Sequence, residues 1–167
     1  MKINELSLGQ EIHYNGEMIV MRDAAQERLH QLKVKDLPLP IDLQDRVVFY
    51  AGPAKMIENK PGAIGPTTAA RMDRFLEMLF EQGVIATIGK GKRSSLASRL
   101  CRQFRRPYFV APSGAAAALA DRIIMIEVLA CEDLGTEAIY RIETKDFPLI
   151  VAIDQQGCDL FEEILRR

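Results

Sequence analysis

Residues 46–52 read RVVFYAG, and Val47 to Ala51 run without a polar interruption. A strand with one wet face alternates apolar and polar positions. An unbroken run is what a strand covered on both faces shows, and that is the signature of a layered α/β sheet. Gly52-Pro53 closes the run and opens a stretch, GPAKMIENKPGAIGP, with three glycines and three prolines in fifteen residues. A loop of that length in a compact domain is either functional or disordered. This one leads straight into a helix start, and we read it as functional. From about Ala69 to Gln82 the apolar positions Met72, Phe75, Leu76, Leu79 and Phe80 recur at helical spacing, and Gly83 stops them. VIATIG (residues 84–89) is a second buried strand.

Working outward, EIHYNGEMIVM reads as a hairpin turned at Asn15-Gly16. DAAQERLHQL is a short helix with Ala25, Leu29 and Leu32 inward. SLASRLCRQF is a helix for which Ser94 can serve as cap. PYFVAP is a third strand, SGAAAALADR a small-residue helix and IIMIEVLA a fourth strand. EAIYRIETKDFPLIVAIDQQG reads as two strands, the second starting at Pro148. Strands alternating with helices, plus a hairpin at each end, predict one α/β domain over residues 1–167: a mixed sheet with flanking helices.

With 48% hydrophobic and 27% charged residues in 167, the composition is that of a globular domain with a sizeable core. No apolar run is long enough to span a bilayer, and MKINELSLGQ lacks the apolar centre of a signal peptide. The expectation is a cytoplasmic chain with no membrane partner. Cys101, Cys131 and Cys158 are 30 and 27 residues apart. That spacing fits neither a disulfide framework nor a metal knuckle, and His13 and His30 do not complete one. We expect buried free thiols, with no metal and no iron–sulfur cluster held by this chain alone. Net charge is −1, yet Lys90, Lys92, Arg93, Arg99, Arg102, Arg105 and Arg106 fall in one stretch that contains no acid. Only Phe104 and Tyr108 interleave with them. A solvated face or a subunit contact suits such a run better than nucleic acid.

Three junctions carry polar groups that structure alone does not demand. In GPTTAAR, the helix start offers unpaired amides, Thr67 and Thr68 offer hydroxyls, and Arg71 offers a fork for a carboxylate. The structural alternative is that one threonine caps the helix and Arg71 reaches solvent, and the residues alone leave both open. In IGKG, Lys90 stands between glycines at the end of a buried strand, where α/β sheets present binding groups. An ordinary turn lysine is the alternative. In VMRDAAQ, Asp23 is a suitable N-cap and Arg22 beside it could be its local ion-pair partner. Taken together, Arg22, Arg71 and Lys90 are the convergent set that a small dianion needs.

The segments RDAA, YAGPAK, GPTTAARMD, GKGKRS and EDLGTEAIYRIETKDFPLIVAIDQQG, in this order and at these intervals, resemble the β subunit of two-subunit class I fumarases and L-tartrate dehydratases. The same region forms the C-terminal domain of single-chain class I fumarases. The resemblance runs from about Leu8 to Leu160. It implies a swivelling β/β/α domain within the α/β class, and a hydro-lyase that interconverts fumarate and L-malate or dehydrates L-tartrate. It also implies an α subunit holding a [4Fe–4S] cluster, whose open iron site acts as a Lewis acid. The chain would then work in a hetero-oligomer on a small dicarboxylate.

Carried over by motif, Thr67 is the base that takes the proton from the substrate carbon, while Thr68 caps the helix. Arg71, Lys90 and Arg22 are the substrate contacts. The family's RD-x-AH ends here in Gln26, placed with the substrate-binding set although an amide can neither carry charge nor shuttle a proton. LGTEA replaces the more usual LGMEA, with Thr136 as a packing change. AARMD and EAIYR keep the fumarase-like forms, which favours fumarate over L(+)-tartrate and leaves methyl-substituted fumarates open. A non-catalytic anion-binding or regulatory module is the reading from a different class.

Overall fold

The structure, a computed structural model, describes residues 6–53, 56, 57, 60, 61, 63–112 and 114–166. Sequence readings that fall on residues 1–5, 54, 55, 58, 59, 62, 113 and 167 lie outside it. In chain order the elements are β1 (Glu11–Val20), α1 (Asp23–Val34), β2 (Val47–Phe49), β3 (Ala51–Pro53), β4 (Met56–Ile57), β5 (Lys60–Pro61) and β6 (Ile64–Pro66). There follow a 3-10 segment (Ala69–Phe75), α2 (Leu76–Glu81), β7 (Ala86–Gly89), α3 (Ser95–Phe104), β8 (Tyr108–Val110) and α4 (Ala116–Ala120). β9 (Ile123–Ala130), a second 3-10 segment (Glu132–Glu137), β10 (Ile139–Ile153) and α5 (Leu160–Leu165) complete it.

The domain is α/β with a mixed sheet. β1, β2, β7 and β8 are parallel neighbours, and β10 runs antiparallel to both β8 and β1, so the pairings close into a circuit. β9 adds to β10 as an antiparallel strand. The apolar run of the opening stretch is buried on both faces because the sheet separates two cores. Val47 and Phe49 point to one side with Met18, Val20, Ala86, Ile88, Phe109 and Val151. Val48 and Tyr50 point to the other, against Leu29, Met72, Phe75, Leu79 and Leu100 of the flanking helices. The period of two in a strand assigns alternate residues to the two cores.

Four expectations about local structure change. Asn15-Gly16 does not turn a hairpin. It is a bulge inside one continuous strand, where Asn15 Oδ1 accepts from the Asp146 amide and the Gly16 carbonyl accepts from Thr144 Oγ1, both at 2.9 Å. Residues 139–153 form a single strand instead of two. Pro148 is tolerated there because it lies between the last residue paired to β9, Thr144, and the first paired to β8, Ile150. One flank of the strand carries no ladder at that point, so a missing amide costs little. In α1 the third buried position is Gln26, with Leu32 only half-buried. Finally, the Gly/Pro-rich stretch is partly a ribbon: β3 pairs antiparallel with β6, Gly52 facing Gly65, and returns the chain to where it left the sheet.

Candidate active site

The ribbon's return decides where the threonines stand. The Thr67 amide donates to the Tyr50 carbonyl at 2.7 Å, directly after β2. One step later Thr68 forms a parallel bridge with Lys90 at the end of β7. The Lys90 amide donates to the Thr67 carbonyl at 3.1 Å, and the Lys90 carbonyl accepts from the Ala69 amide at 3.0 Å. The approach is close enough to require Gly89. A Cβ on that residue would lie 2.9 Å from Ala69 Cβ and 3.2 Å from the Tyr50 ring. Two motifs separated in the sequence are thus joined by backbone, leaving their side chains free for chemistry.

This geometry corrects the reading of the helix start. Residues 69–75 are 3-10 and only residues 76–81 are α-helix. The Ala69 amide is already bonded to Lys90, so it is not an open donor for an anion. Thr68 occupies the N-cap position, but its side chain makes no cap hydrogen bond. Among the described residues neither threonine hydroxyl has a partner. Thr67 is half-buried, while Thr68, Arg71 and Lys90 are exposed along the same rim.

The second half of the site is built on the start of α1. Arg22, not Asp23, takes the N-cap position, and the two do not pair locally. Asp23 Oδ2 instead holds Arg71 Nη2 at 3.0 Å. Arg22 Nη2 meets Glu137 Oε1 at 3.1 Å, and the other oxygen of that carboxylate accepts from the Ala24 amide at 3.0 Å. The stem of Arg22 lies in a slot cleared by Gly52. A Cβ there would lie 2.9 Å from Arg22 Cδ and 2.9 Å from the Thr136 carbonyl oxygen. Arg22, Arg71, Thr67 and Lys90 are therefore linked through a short chain of contacts. Gln26 is not on that rim: its side chain is fully buried one turn into α1, with both amide atoms unpartnered.

Sequence reading missed two supports of the site. Asp73 is buried, and Arg93 is no member of a solvated basic face. Arg93 Nε donates to Asp73 Oδ1 at 2.6 Å with the arginine side chain wholly buried, and Nη1 donates to Thr87 Oγ1 at 3.1 Å. Asp73 Oδ2 accepts from the Ser94 amide at 2.9 Å and from its hydroxyl at 2.5 Å, so Ser94 spends its side chain here instead of capping α3. The guanidinium lies over the rings of Tyr50 and Tyr108, 5.4 and 5.0 Å from their centroids. Burial pushes both phenols above their ordinary range, and Tyr108 donates its proton to the Gly91 carbonyl. This buried knot clamps the loop that carries Lys90 onto the segment that carries Arg71. The signal in the sequence was only that RMD holds an acid and KRS two cations. The other missed support is Glu137, inside LGTEA, a motif that carried the resemblance without a role for its acid.

The remaining basic residues do not add to the site. Lys92 pairs with Glu162 of α5. A cleft of about 540 Å³ lies beside them between the start of α3 and α5, lined in part by Ser98, Cys158 and Asp159, and is separate from the Thr67–Lys90 rim. Asp159 there caps α5 through the Phe161 and Glu162 amides.

Of the three cysteines expected to be buried, only Cys101 is. Cys101 is buried within the helix-side core, Cys131 half-buried before the second 3-10 segment, and Cys158 exposed in the turn before α5. Burial pushes the Cys101 thiol up to about 12, opposing the thiolate that a metal needs. Among the described residues no three His, Cys, Asp or Glu side chains converge on a metal position, and no helix is long and apolar enough to cross a membrane.

Comparison with known proteins agrees with this arrangement of motifs. The chain matches the family described as Fumarase C-terminus over residues 1–164. It is 38% identical over 152 residues to fumarate hydratase 1, mitochondrial, of Leishmania major, covering 89% of this chain and 28% of that protein. With the anaerobic class I fumarate hydratase of Escherichia coli K12 it shares 34% over 169 residues, covering 99% and 31%. With the beta subunit of L(+)-tartrate dehydratase from the same strain it shares 34% over 170 residues, covering 96% and 82%. The chain thus spans less than a third of the fumarate hydratases and most of the tartrate dehydratase subunit. With residues 1–164 of its 167 matched to one family model, the chain belongs to the Fumarase C-terminus family.

Proposed function

We propose that this chain is the β component of a class I fumarase-type hydro-lyase, acting with an α subunit on fumarate and L-malate. The observation that carries the reading is the backbone junction of residues 67–69 with Lys90. It holds residues 67–69 against Lys90 by main chain alone, so that among the described residues the Thr67 hydroxyl and the Lys90 ammonium stay without a partner, with the two arginine forks linked to this segment through Asp23 and the β3–β6 ribbon. Arg22 and Arg71 bind the substrate carboxylates, and Lys90 holds a carboxylate or hydroxyl oxygen. Thr67 moves the proton at the substrate carbon. A threonine hydroxyl is a weak base unless a stronger one lies within hydrogen-bond reach. Since no described residue fills that place, the activating carboxylate is assigned to the α subunit.

The [4Fe–4S] cluster is assigned to the α subunit as well, because the cysteines of this chain are unsuited to it. Docking as a swivelling domain would close the exposed rim and exclude water from it. The match to a separate tartrate dehydratase subunit over 82% of its length supports the two-chain arrangement. The retained AARMD and EAIYR segments favour fumarate as substrate, and we read the enzyme as cytoplasmic. The test is anaerobic co-expression with the α subunit, followed by assays with fumarate, L-malate and L(+)-tartrate. Fumarate hydration that needs both chains is expected. Preference for tartrate would reassign the substrate. Dicarboxylate binding without turnover in any arm would leave a binding module instead.

A further inference from the structure

Arg22 is held both at its stem and at its guanidinium. Its stem fills the slot above Gly52, its Nε is buried without a partner, and its Nη2 rests on Glu137. Glu137 comes from the opposite end of the sequence and uses both oxygens, one on Arg22 and one on the amide of Ala24. The carboxylate therefore ties the guanidinium to the backbone of α1. A second ion pair, Arg28 with Asp133, joins the same two elements at 2.7 Å but stands outside the site, with Arg28 half-buried and Asp133 exposed.

We propose that Glu137 is a positioning residue for substrate recognition: it holds the Arg22 fork in the orientation that receives a substrate carboxylate. The proposal rests on the reading of Arg22 as a carboxylate contact in a dicarboxylate site. An arginine fixed before binding loses less freedom when it engages a ligand, and a bidentate contact tolerates little misalignment. Such a contact is made equally to substrate and transition state, so its loss raises KM and leaves kcat nearly unchanged. Exchange of Glu137 for Gln keeps the size and one acceptor for the Ala24 amide. It turns the other end of the group into a donor, which no longer accepts from Arg22 Nη2.

The experiment compares Glu137→Gln with Asp133→Asn in the two-subunit enzyme. Glu137→Gln is expected to raise KM for the dicarboxylate about tenfold with kcat within about threefold, while Asp133→Asn changes neither. Equal effects from both substitutions would show that only the tie between the elements matters and would overturn the proposal. Unchanged KM in Glu137→Gln would overturn it too. A second readout is independent of turnover: the Nε–H signal of Arg22 in the NMR spectrum of the full chain, assigned with Arg22→Lys. It should be sharp and slow to exchange in the native chain, and broadened in Glu137→Gln but not in Asp133→Asn. If the native complex lacks dicarboxylate turnover, the proposed function falls. The NMR comparison then still decides whether Glu137 holds Arg22, and an unaltered signal would refute that.

Discussion

The Lys90 amide donates to the Thr67 carbonyl at 3.1 Å, so the base and the ammonium proposed for one reaction are joined through the main chain. No side chain of Thr67, Thr68 or Lys90 takes part in the join. Substitution of any of the three therefore reports on chemistry more directly than on folding, and a set of variants at this bridge can separate the roles.

Thr67→Ala in the two-subunit enzyme should lower kcat by about 10²–10⁴, the usual contribution of a positioned proton-transfer group. Thr67→Ser keeps the hydroxyl and should retain much more. Thr68 makes no cap hydrogen bond, so Thr68→Ala should leave the melting temperature nearly unchanged and kcat within a few-fold. Loss of turnover in Thr68→Ala with a normal Thr67→Ala would reverse the two assignments.

Arg71→Lys and Lys90→Met test the binding half. A lysine at position 71 can neither pair bidentately with a carboxylate nor keep the planar fork that meets Asp23. Methionine at position 90 retains the length and the backbone bridge but removes the charge. Both variants should lose at least about tenfold in kcat/KM, the effect expected of a charged hydrogen bond worth about 1.5–3 kcal/mol. Thermal unfolding should stay close to the native curve, because Arg71 and Lys90 are exposed. Normal steady-state constants for both would rule out an anion site here.

Gly89→Ala should weaken both stability and turnover. The new methyl would stand 2.9 Å from Ala69 Cβ, too close for any real contact, so the 67–69 segment must move away from β7. Overpacking of this kind costs about 1–3 kcal/mol. Gly91, whose Cβ would meet nothing within 4 Å but whose φ is +78°, supplies the comparison. Gly91→Ala should be destabilised by backbone strain while leaving the Thr68–Lys90 bridge, and hence kcat, nearly intact. Equal loss of kcat in the two variants would count against the bridge as the element that matters.

How far the sequence could be read followed from the range of the interactions involved. The buried strands and the stripe of Met72, Phe75, Leu76 and Leu79 were legible because periodicity is local. Asn15-Gly16 misled because a tight-turn dipeptide also makes a bulge, and which one forms depends on β10, more than a hundred residues away. Pro148 misled for the same reason, since its tolerance depends on a gap between two neighbouring strands. Arg22, Thr67, Arg71 and Lys90 were visible as polar groups at junctions. Their partners Asp23 and Glu137, and the buried Asp73–Arg93 pair, were not, because a partner's identity is settled by packing. Gln26 was visible as a departure from a motif, but nothing local said that it is buried.

Stability should fall on the alkaline side. Burial raises the Cys101 thiol from 9.0 to about 12 and raises the Tyr50 and Tyr108 phenols above 10.0. In this window the folded chain keeps protons that the unfolded chain releases, so the stability these groups contribute is complete below about pH 9 and is lost as pH rises. The urea midpoint should be lower at about pH 10 than at about pH 7.5, and Cys101→Ala should shrink that difference. A midpoint that does not move over this range would mean that the three groups titrate alike in both states.

The last prediction concerns the pair beneath the site. Arg93 has no exposed side-chain surface and Asp73 only 8%, so removal of the arginine strands a carboxylate out of water. Breaking a buried pair from one side costs about 3–5 kcal/mol, most of it the unpaired charge. Arg93→Met should therefore unfold at much lower urea than the native chain. Arg99→Met, at an exposed position of α3, should stay within about 0.5 kcal/mol. Combining Arg93→Met with Asp73→Asn removes the stranded charge, and Ser94 can still donate to the amide oxygen that takes the place of Asp73 Oδ2. The double variant should recover part of the lost stability. If it were as unstable as Arg93→Met, or less stable, the loss would come from packing against Tyr50 and Tyr108 and not from charge. If Arg93→Met behaved like Arg99→Met, the pair would not be what clamps the Lys90 loop to the Arg71 segment.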